Sequence, residues 1–525
     1  MSLGDQHTFL RRATMGYTPR DAASLKSLDS IDQWFLTQRN QSRLDSHLAY
    51  LNRGGPIGRI RTDERQRKYY VALESFWYHT ALGQDQLRQR VAFALSQILV
   101  VSADDPTIAF YAEGLASYMD TLSDHALGNY RDLLIAVSKS PAMGHYLTHL
   151  KNEKADRQTG RQPDENYARE LMQLFTIGLW ELNQDGTRKI DSDGNHIPTY
   201  GPDEISGMAR VFTGWYYGGR PNTRAVWRGD RSAMKMDRRL DIPMISYPEM
   251  HENGTKRIVG GEEIKKNTSA DESLEAAIDV LMEHPNTAPF VSHQLIQRLV
   301  TSNPSPSYVE RVARVFNNNG NGEKGDLFSV TKAILLDPEA NATRGASNSF
   351  GRLREPILRM SLWLRNLEGK DQIRKRDLSR NLFQIAKGFG QIPYTAPSVF
   401  NWYEPTYGPQ GPVKDAGIVA PEFKMHNETL MARYSIYLPA IIQRGFDPFV
   451  REAPNQPYRT LMPLAKEPID LVSALDDMFC AGRLGSEARL LIEQSVSRIT
   501  ESAPDERVWT AVMMAMLSPA FMIDL

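Results

Sequence analysis

Apolar residues recur every three or four positions along most of the chain, the spacing of helices with one buried face. In DQLRQRVAFALSQILVVS, Leu87, Val91, Leu95 and Ile98 share a face. YRDLLIAVSKS predicts a second helix. SPAMGHYLTHL predicts a third, with Ser140 as N-cap and Pro141 at the first helical position. PDEISGMARVFTGW begins another, with Asp203 at its start. Further helices follow in ESLEAAIDVLMEH, APFVSHQLIQRLVTS, SPSYVERVARVFNNNG, LFSVTKAILLDPE, EPILRMSLWLRNLEG, PIDLVSALDDMFCAG, SEARLLIEQSVSRI and RVWTAVMMAMLSPAFM. Strand signals are few. NQDGTRKIDSDGNHIPTY carries two Asp-Gly pairs around a short alternating segment and predicts a β-hairpin excursion near 183–200. The expected fold is mostly α: one large multi-helical body with that excursion and long aromatic, Pro- and Gly-rich loops. The expected organisation is an N-terminal helical lobe over 1–217, an irregular connecting segment over 218–262, and a C-terminal helical lobe over 263–525.

The stretch RQPDENYARELMQLFTIGLW, 161–180, carries the densest chemistry. At about 100° per residue, Glu165, Asn166, Arg169, Glu170 and Gln173 fall within about 140° of one another. Tyr167, Ala168, Leu171, Met172, Leu174 and Phe175 cover the rest, and Asp164 caps the start. The polar face has no Lys; its Asn, Arg and Gln have fixed hydrogen-bonding geometry. Three readings stand: a buried network bracing neighbouring helices, a ligand or catalytic site, or a solvated face. In the second, Glu165 and Glu170 are acid/base candidates, Arg169 tunes charge or binds an anion, and Asn166 and Gln173 contact substrate.

Other residues extend the set. His145 and His149 stand four apart, a spacing that on a helix directs both imidazoles to one side and offers two ligands to a divalent metal. Asn183, Asp185, Asp191 and Asp193 could seat calcium, but they lack the EF-hand ligand order, and Asp-Gly turn chemistry explains them as well. Trp402, Tyr403 and Tyr407, in the loop APSVFNWYEPTYGP, form either a stacking platform for sugar rings or partner proteins, or a buried plug. Trp215 reads as core packing. There is no GxSxG elbow, no phosphate-binding GxxxxGK[ST] loop and no HExxH.

Composition narrows the field. Lys and Arg number 62 against 63 Asp and Glu, so no long-range field draws in nucleic acid. No apolar run approaches the roughly 20 residues that span a bilayer. The one cysteine, Cys480, rules out an intrachain disulfide and reads as a packed core thiol. The N-terminal stretch lacks the apolar centre of an export signal.

HTFLRRATMGYTPRD, PAMGHYL, PDENYARELMQLFTIGL, ARVFTGW, HPNTAPFVSHQLIQRLVTSNPS, GDLFSVTKAILLDPEA, REPILR and APSVFNWYEPTYGP, taken in order, resemble the successive motifs of the bacterial family called domain of unknown function 1800. The resemblance implies a large protein that is commonly exported, hence periplasmic or extracellular, and often encoded beside an exported family resembling sulfatases and alkaline phosphatases. It implies no established activity and brings no catalytic residues. Two expectations follow. One is an enzyme, a hydrolase or lyase using carboxylate acid/base chemistry on an envelope or extracellular polymer such as a polysaccharide. The other is a non-enzymatic scaffold that binds a co-exported sulfatase- or phosphatase-like partner.

Overall fold

A computed structural model describes residues 3–55, 65–229, 239–341, 349–367, 373, 378–445 and 457–525. The protein is mostly α-helical, with only small two-stranded antiparallel sheets among the described residues. No described helix is long and apolar enough to cross a membrane. Two compact units interleave in sequence: one contains 1–90, 297–303 and 335–525, the other 91–296 and 304–334. The segments 1–217 and 263–525 therefore each contribute to both units.

In the unit holding 91–296, helix Pro202–Val211 packs on the short helix Asn166–Glu170, Ala270–Glu283 packs on the turn after it, and Tyr130–Ser138 lies between Ala112–His125 and Ala270–Glu283. Local sequence sets their boundaries. Ser269 accepts the Glu272 amide while Glu272 reaches back to the Ser269 backbone, a reciprocal cap that starts Ala270–Glu283. Leu274, Ala277, Ile278 and Leu281 then form its buried stripe. Pro202 and the acidic Asp203 and Glu204 open Pro202–Val211. Gly207 on that helix lets the backbone of strand Lys256–Arg257 come close; a Cβ there would lie 1.5 Å from the Arg257 carbonyl oxygen. The expected excursion is present as a ladder of bridges, Trp180 to Pro198, Leu182 to Arg188 and Ile190 to His196. The connecting segment 218–262 is less irregular than expected. It holds the helix Arg224–Arg228 and the strand Ile245–Ser246, which pairs with Trp215–Tyr216; its residues 230–238 lie outside the described set.

The other unit is built on Pro356–Asn366, a helix buried all round from Pro356 to Arg365. Its cations are hydrogen-bonded: Arg365 donates to the Thr80 carbonyl at 2.9 Å and to Asp21 at 3.1 Å. Beside it Arg352 pairs with Glu355 at 2.7 Å, and Gln391 donates to the other Glu355 oxygen at 3.0 Å. Arg11 meets Asp524 at 2.6 Å. Burial opposes ionisation of Asp524, but Arg11, Arg354 and Arg352 prevail and hold its carboxyl down at about 2. Cys480 is buried.

Candidate functional site

The chain from Leu147 to Asp156 carries two non-glycine residues in the left-handed region, Thr148 (φ 63°) and Lys151 (φ 67°). Such conformations cost about 1 kcal/mol or more each and persist only where the surroundings enforce them. Here the enforcement is visible. Lys151 donates its backbone N–H to Trp215 at 2.7 Å and Lys154 donates to Met250 at 3.0 Å. The Asn152 amide clamps Asp164 through both its backbone groups, at 2.8 and 3.1 Å. Asp164 in turn accepts the Asn166 amide at 2.8 Å, which starts the helix.

That helix is not the continuous α-helix expected. It runs as α-helix from Asn166 to Glu170 and as a π turn from Leu171 to Thr176. The wider turn rotates later residues out of the α register. Side chains take up carbonyls near its end: Gln294 donates to Leu174 at 3.1 Å and Tyr130 to Phe175 at 2.7 Å. The π turn shifts only Gln173 out of register; the other four polar side chains precede it and divide by burial. Glu165 and Arg169 pair at 3.3 Å with side chains 42% and 44% exposed. Asn166 reaches only Thr148, at 3.5 Å. Gln173 is half-buried. Glu170 is buried, and its Oε2 has no hydrogen-bond partner. Burial raises the Glu170 pKa against the pull of Arg169. The pair Glu165 and Glu170 is thus one surface ion-pair member and one enclosed carboxyl, not two groups facing a common substrate.

The histidine pair is also divided. Helix Pro141–Tyr146 ends before His149, so the four-residue spacing is not helical. His145 Nε2 bonds to the Tyr217 hydroxyl. His149 is 1% exposed, stacks on Tyr167 with ring centroids 3.9 Å apart, and donates from Nε2 to the Ser138 carbonyl at 2.9 Å. Among the described residues no three His, Cys, Asp or Glu side chains gather as metal ligands. Asp185 accepts the Thr187 amide and hydroxyl at 2.9 and 2.6 Å; Asp191 accepts the amides of Asp193 and Asn195, both at 2.9 Å. These are local turns rather than a converging ligand set. In the other unit Tyr403 is 3% exposed, which removes it as a stacking face, while Trp402 packs against its cluster and Tyr407 is half-buried. Gly320, Gly322 and Gly325 have GxGxxG spacing. Their turn joins two helices, and the Asn318 side chain occupies the amides of Gly320 and Gly322.

An open cleft of the 91–296 unit lies elsewhere, with a volume of about 700 Å³ and a lining that includes Lys139, Arg220, Asn222, Ser246 and Asp271. Its apolar wall is Ile242 to Ile245 with Pro221. Lys139 follows the C-terminus of Tyr130–Ser138; its carbonyl accepts the Met244 amide at 2.7 Å, fixing that wall to the helix. Lys139 Nζ pairs with Asp271 at 2.7 Å and lies 5.5 Å from the Trp215 ring centroid. Ser246 donates to the second Asp271 oxygen at 3.0 Å. The Arg220 guanidinium sits 5.8 Å from the Tyr217 ring centroid. Under the cleft, Tyr216, Tyr217, Val226, Trp227, Leu240 and Tyr247 form one buried cluster. None of the lining residues was singled out from the sequence; they come from well-separated segments, and only Arg220 to Asn222 and Ile242 to Ser246 are runs.

Helical units around a buried aromatic cluster and a polar cleft define a class of architecture, not an activity. A family model described as protein of unknown function (DUF1800) matches residues 8–523. The chain belongs to this family. No curated protein and no solved structure matches it.

Proposed function

We propose that this is an exported protein, periplasmic or extracellular, that binds an envelope or extracellular polymer, a polysaccharide, in the cleft lined by Lys139, Asn222, Ser246 and Asp271. One observation carries the reading: an open cleft of about 700 Å³ pairs an apolar wall at Pro221 and Ile242–Ile245 with convergent donors and acceptors. A sugar ring offers apolar C–H faces and hydroxyls that both donate and accept. The Asn222 amide and Lys139 supply donors, and Asp271 and Ser246 supply acceptors. Binding is proposed rather than cleavage because Glu165 is half-exposed in an ion pair with Arg169 while Glu170 is buried. The test is affinity electrophoresis of the full chain in gels containing a panel of neutral and acidic polysaccharides, beside Asn222→Ala and Ser246→Ala. Retardation by at least one polymer, reduced in both variants, is expected. Unretarded migration in every gel overturns the reading.

A second reading, a scaffold that docks a co-exported sulfatase- or phosphatase-like protein, is favoured by the exposed Ile436, Ile469, Leu490 and Leu491 in the 335–525 segment. Co-elution with that neighbour, abolished by Leu491→Asp, is its expected signature; separate elution at micromolar concentration refutes it.

A further inference from the structure

We infer that the protein binds a phosphate group, free or carried as an ester, where Arg210 of helix Pro202–Val211 meets Lys256 of strand Lys256–Arg257. The inference is independent of the polysaccharide cleft. Lys256 is 0% exposed, and its Nζ has no hydrogen-bond partner among the described residues. A buried amine without a partner is costly and calls for a counter-charge. The neighbouring groups do not provide one. Glu252 offsets part of the burial that lowers the Lys256 pKa, but it does not bond the amine, and one of its oxygens accepts the Gly254 amide at 2.9 Å. Asp271 is taken on both oxygens, by Lys139 at 2.7 Å and Ser246 at 3.0 Å. His251 gives its Nδ1–H to the Thr213 carbonyl at 2.9 Å and accepts the Ser273 hydroxyl on Nε2 at 3.4 Å, so it is neutral.

Arg210 adds a second cation. Gly207 and Arg210 stand three apart, on the helix face that meets the strand. Arg210 is half-buried, its Nε is enclosed without a partner, and its charge repels that of Lys256. An anion between them turns one repulsion into two attractions. The planar guanidinium receives two phosphate oxygens and leaves others for the ammonium. Its half-exposure gives the ligand a way in from solvent. The two walls are fixed to each other. A Cβ on Gly207 would overlap the Arg257 carbonyl, so helix and strand touch directly. The Thr213 hydroxyl donates to the Arg210 carbonyl at 2.8 Å and accepts the Glu252 amide at 2.9 Å, tying the helix end to the segment that leads to Lys256. Cations placed before the ligand arrives lose less conformational entropy on binding than free surface lysines.

The test uses the full chain in phosphate-free buffer, titrated with inorganic phosphate and, at matched ionic strength, with chloride, followed by thermal unfolding and calorimetry. Phosphate is expected to raise the melting temperature saturably, by about 3 °C or more, and chloride is not. Lys256→Met removes the charge and keeps the length. Without phosphate it should melt at or above the parent, a gain that misfolding cannot produce; with phosphate it should show no shift. Arg210→Gln should weaken phosphate binding by about tenfold or more. A parent that responds equally to phosphate and chloride, or a Lys256→Met variant that keeps the phosphate response, overturns the inference. So does a Lys256→Met variant that melts well below the parent without phosphate, because the amine is then already satisfied. Glycerol 3-phosphate separates the two sources: binding within about tenfold of the free ion upholds an ester ligand, and weaker binding upholds the free ion.

Discussion

His149 makes the 91–296 unit sensitive to acid. Its ring is fully enclosed, with Nε2–H given to Ser138 at 2.9 Å and Nδ1 lacking any partner. Protonation would place a charge and an unsatisfied donor on Nδ1 in apolar surroundings. Burial accordingly lowers its pKa from 6.5 to about 4, only partly offset by the Ser138 carbonyl. The unfolded chain takes up this proton first as pH falls. The contribution is therefore complete above 6.5, declines below it, and is exhausted near 4. At about 1.4 kcal/mol per unit, moving from about pH 7.5 to about pH 5 costs about 2 kcal/mol from this residue alone. His251, lowered to about 4 mainly by burial, adds to the same trend. His149→Gln keeps a donor for Ser138 and removes the titration. It loses the stack on Tyr167, a constant penalty of about 1 kcal/mol at every pH. Urea unfolding followed by tryptophan fluorescence at both pH values should show the variant weaker at neutral pH, with a pH difference about 2 kcal/mol smaller than the parent's. An unchanged pH difference would refute the buried, neutral imidazole.

Glu170→Gln runs opposite. The Glu170 pKa is raised chiefly by burial, so its ionisation costs stability as pH rises; the amide should melt at or above the parent at about pH 8 and match it in acid, and a marked drop at pH 8 would count against the enclosed carboxyl. Arg352→Met takes the paired guanidinium from Glu355, which is fully buried, and should cost about 3–5 kcal/mol in chemical unfolding; Glu355→Gln added to it should recover part, and additive losses would contradict the pairing. Gly207→Ala drives a Cβ against the Arg257 backbone and should abolish soluble folded protein, whereas Gly485→Ala, with nothing within 4 Å, should leave melting unchanged.

Much of the helical order is legible because its causes are local. Ser269 with Glu272, Pro202 with Asp203, and Ser305 before Pro306 are caps that need no tertiary partner. The helices that escape the pattern do so for identifiable reasons. Arg65–Leu82 is buried from Val71 to Trp77 without a break, so no polar face alternates with its apolar one. Glu428–Arg444 contains Pro439 and exposes Met431 and Ile436, which blurs its stripe. Helix Pro141–Tyr146 stops early because Thr148 and Lys151 take left-handed backbone, a choice enforced by Trp215 and Asp164 across the fold and invisible in neighbouring letters.

The site was less legible because its two versions differ in range. The face Glu165 to Gln173 is a short-range prediction; burial separates Glu170 from the exposed Glu165 and Arg169, and the π turn from Leu171 moves Gln173 off the α register. One-residue widening of that kind depends on what the released carbonyls meet, here Gln294 and Tyr130, which no helical wheel contains. The cleft is a long-range object: Lys139 closes a helix, Arg220 and Asn222 sit on a turn, Ser246 ends a strand and Asp271 opens another helix. Each is an ordinary residue where it stands. The pairing of Trp215–Tyr216 with Ile245–Ser246, the bond from Met244 to Lys139, and the bonds of Lys139 and Ser246 to Asp271 bring them to one opening. Substitutions that weaken that pairing should therefore cost ligand affinity without touching a lining side chain, whereas substitutions at Glu165 should leave affinity unchanged.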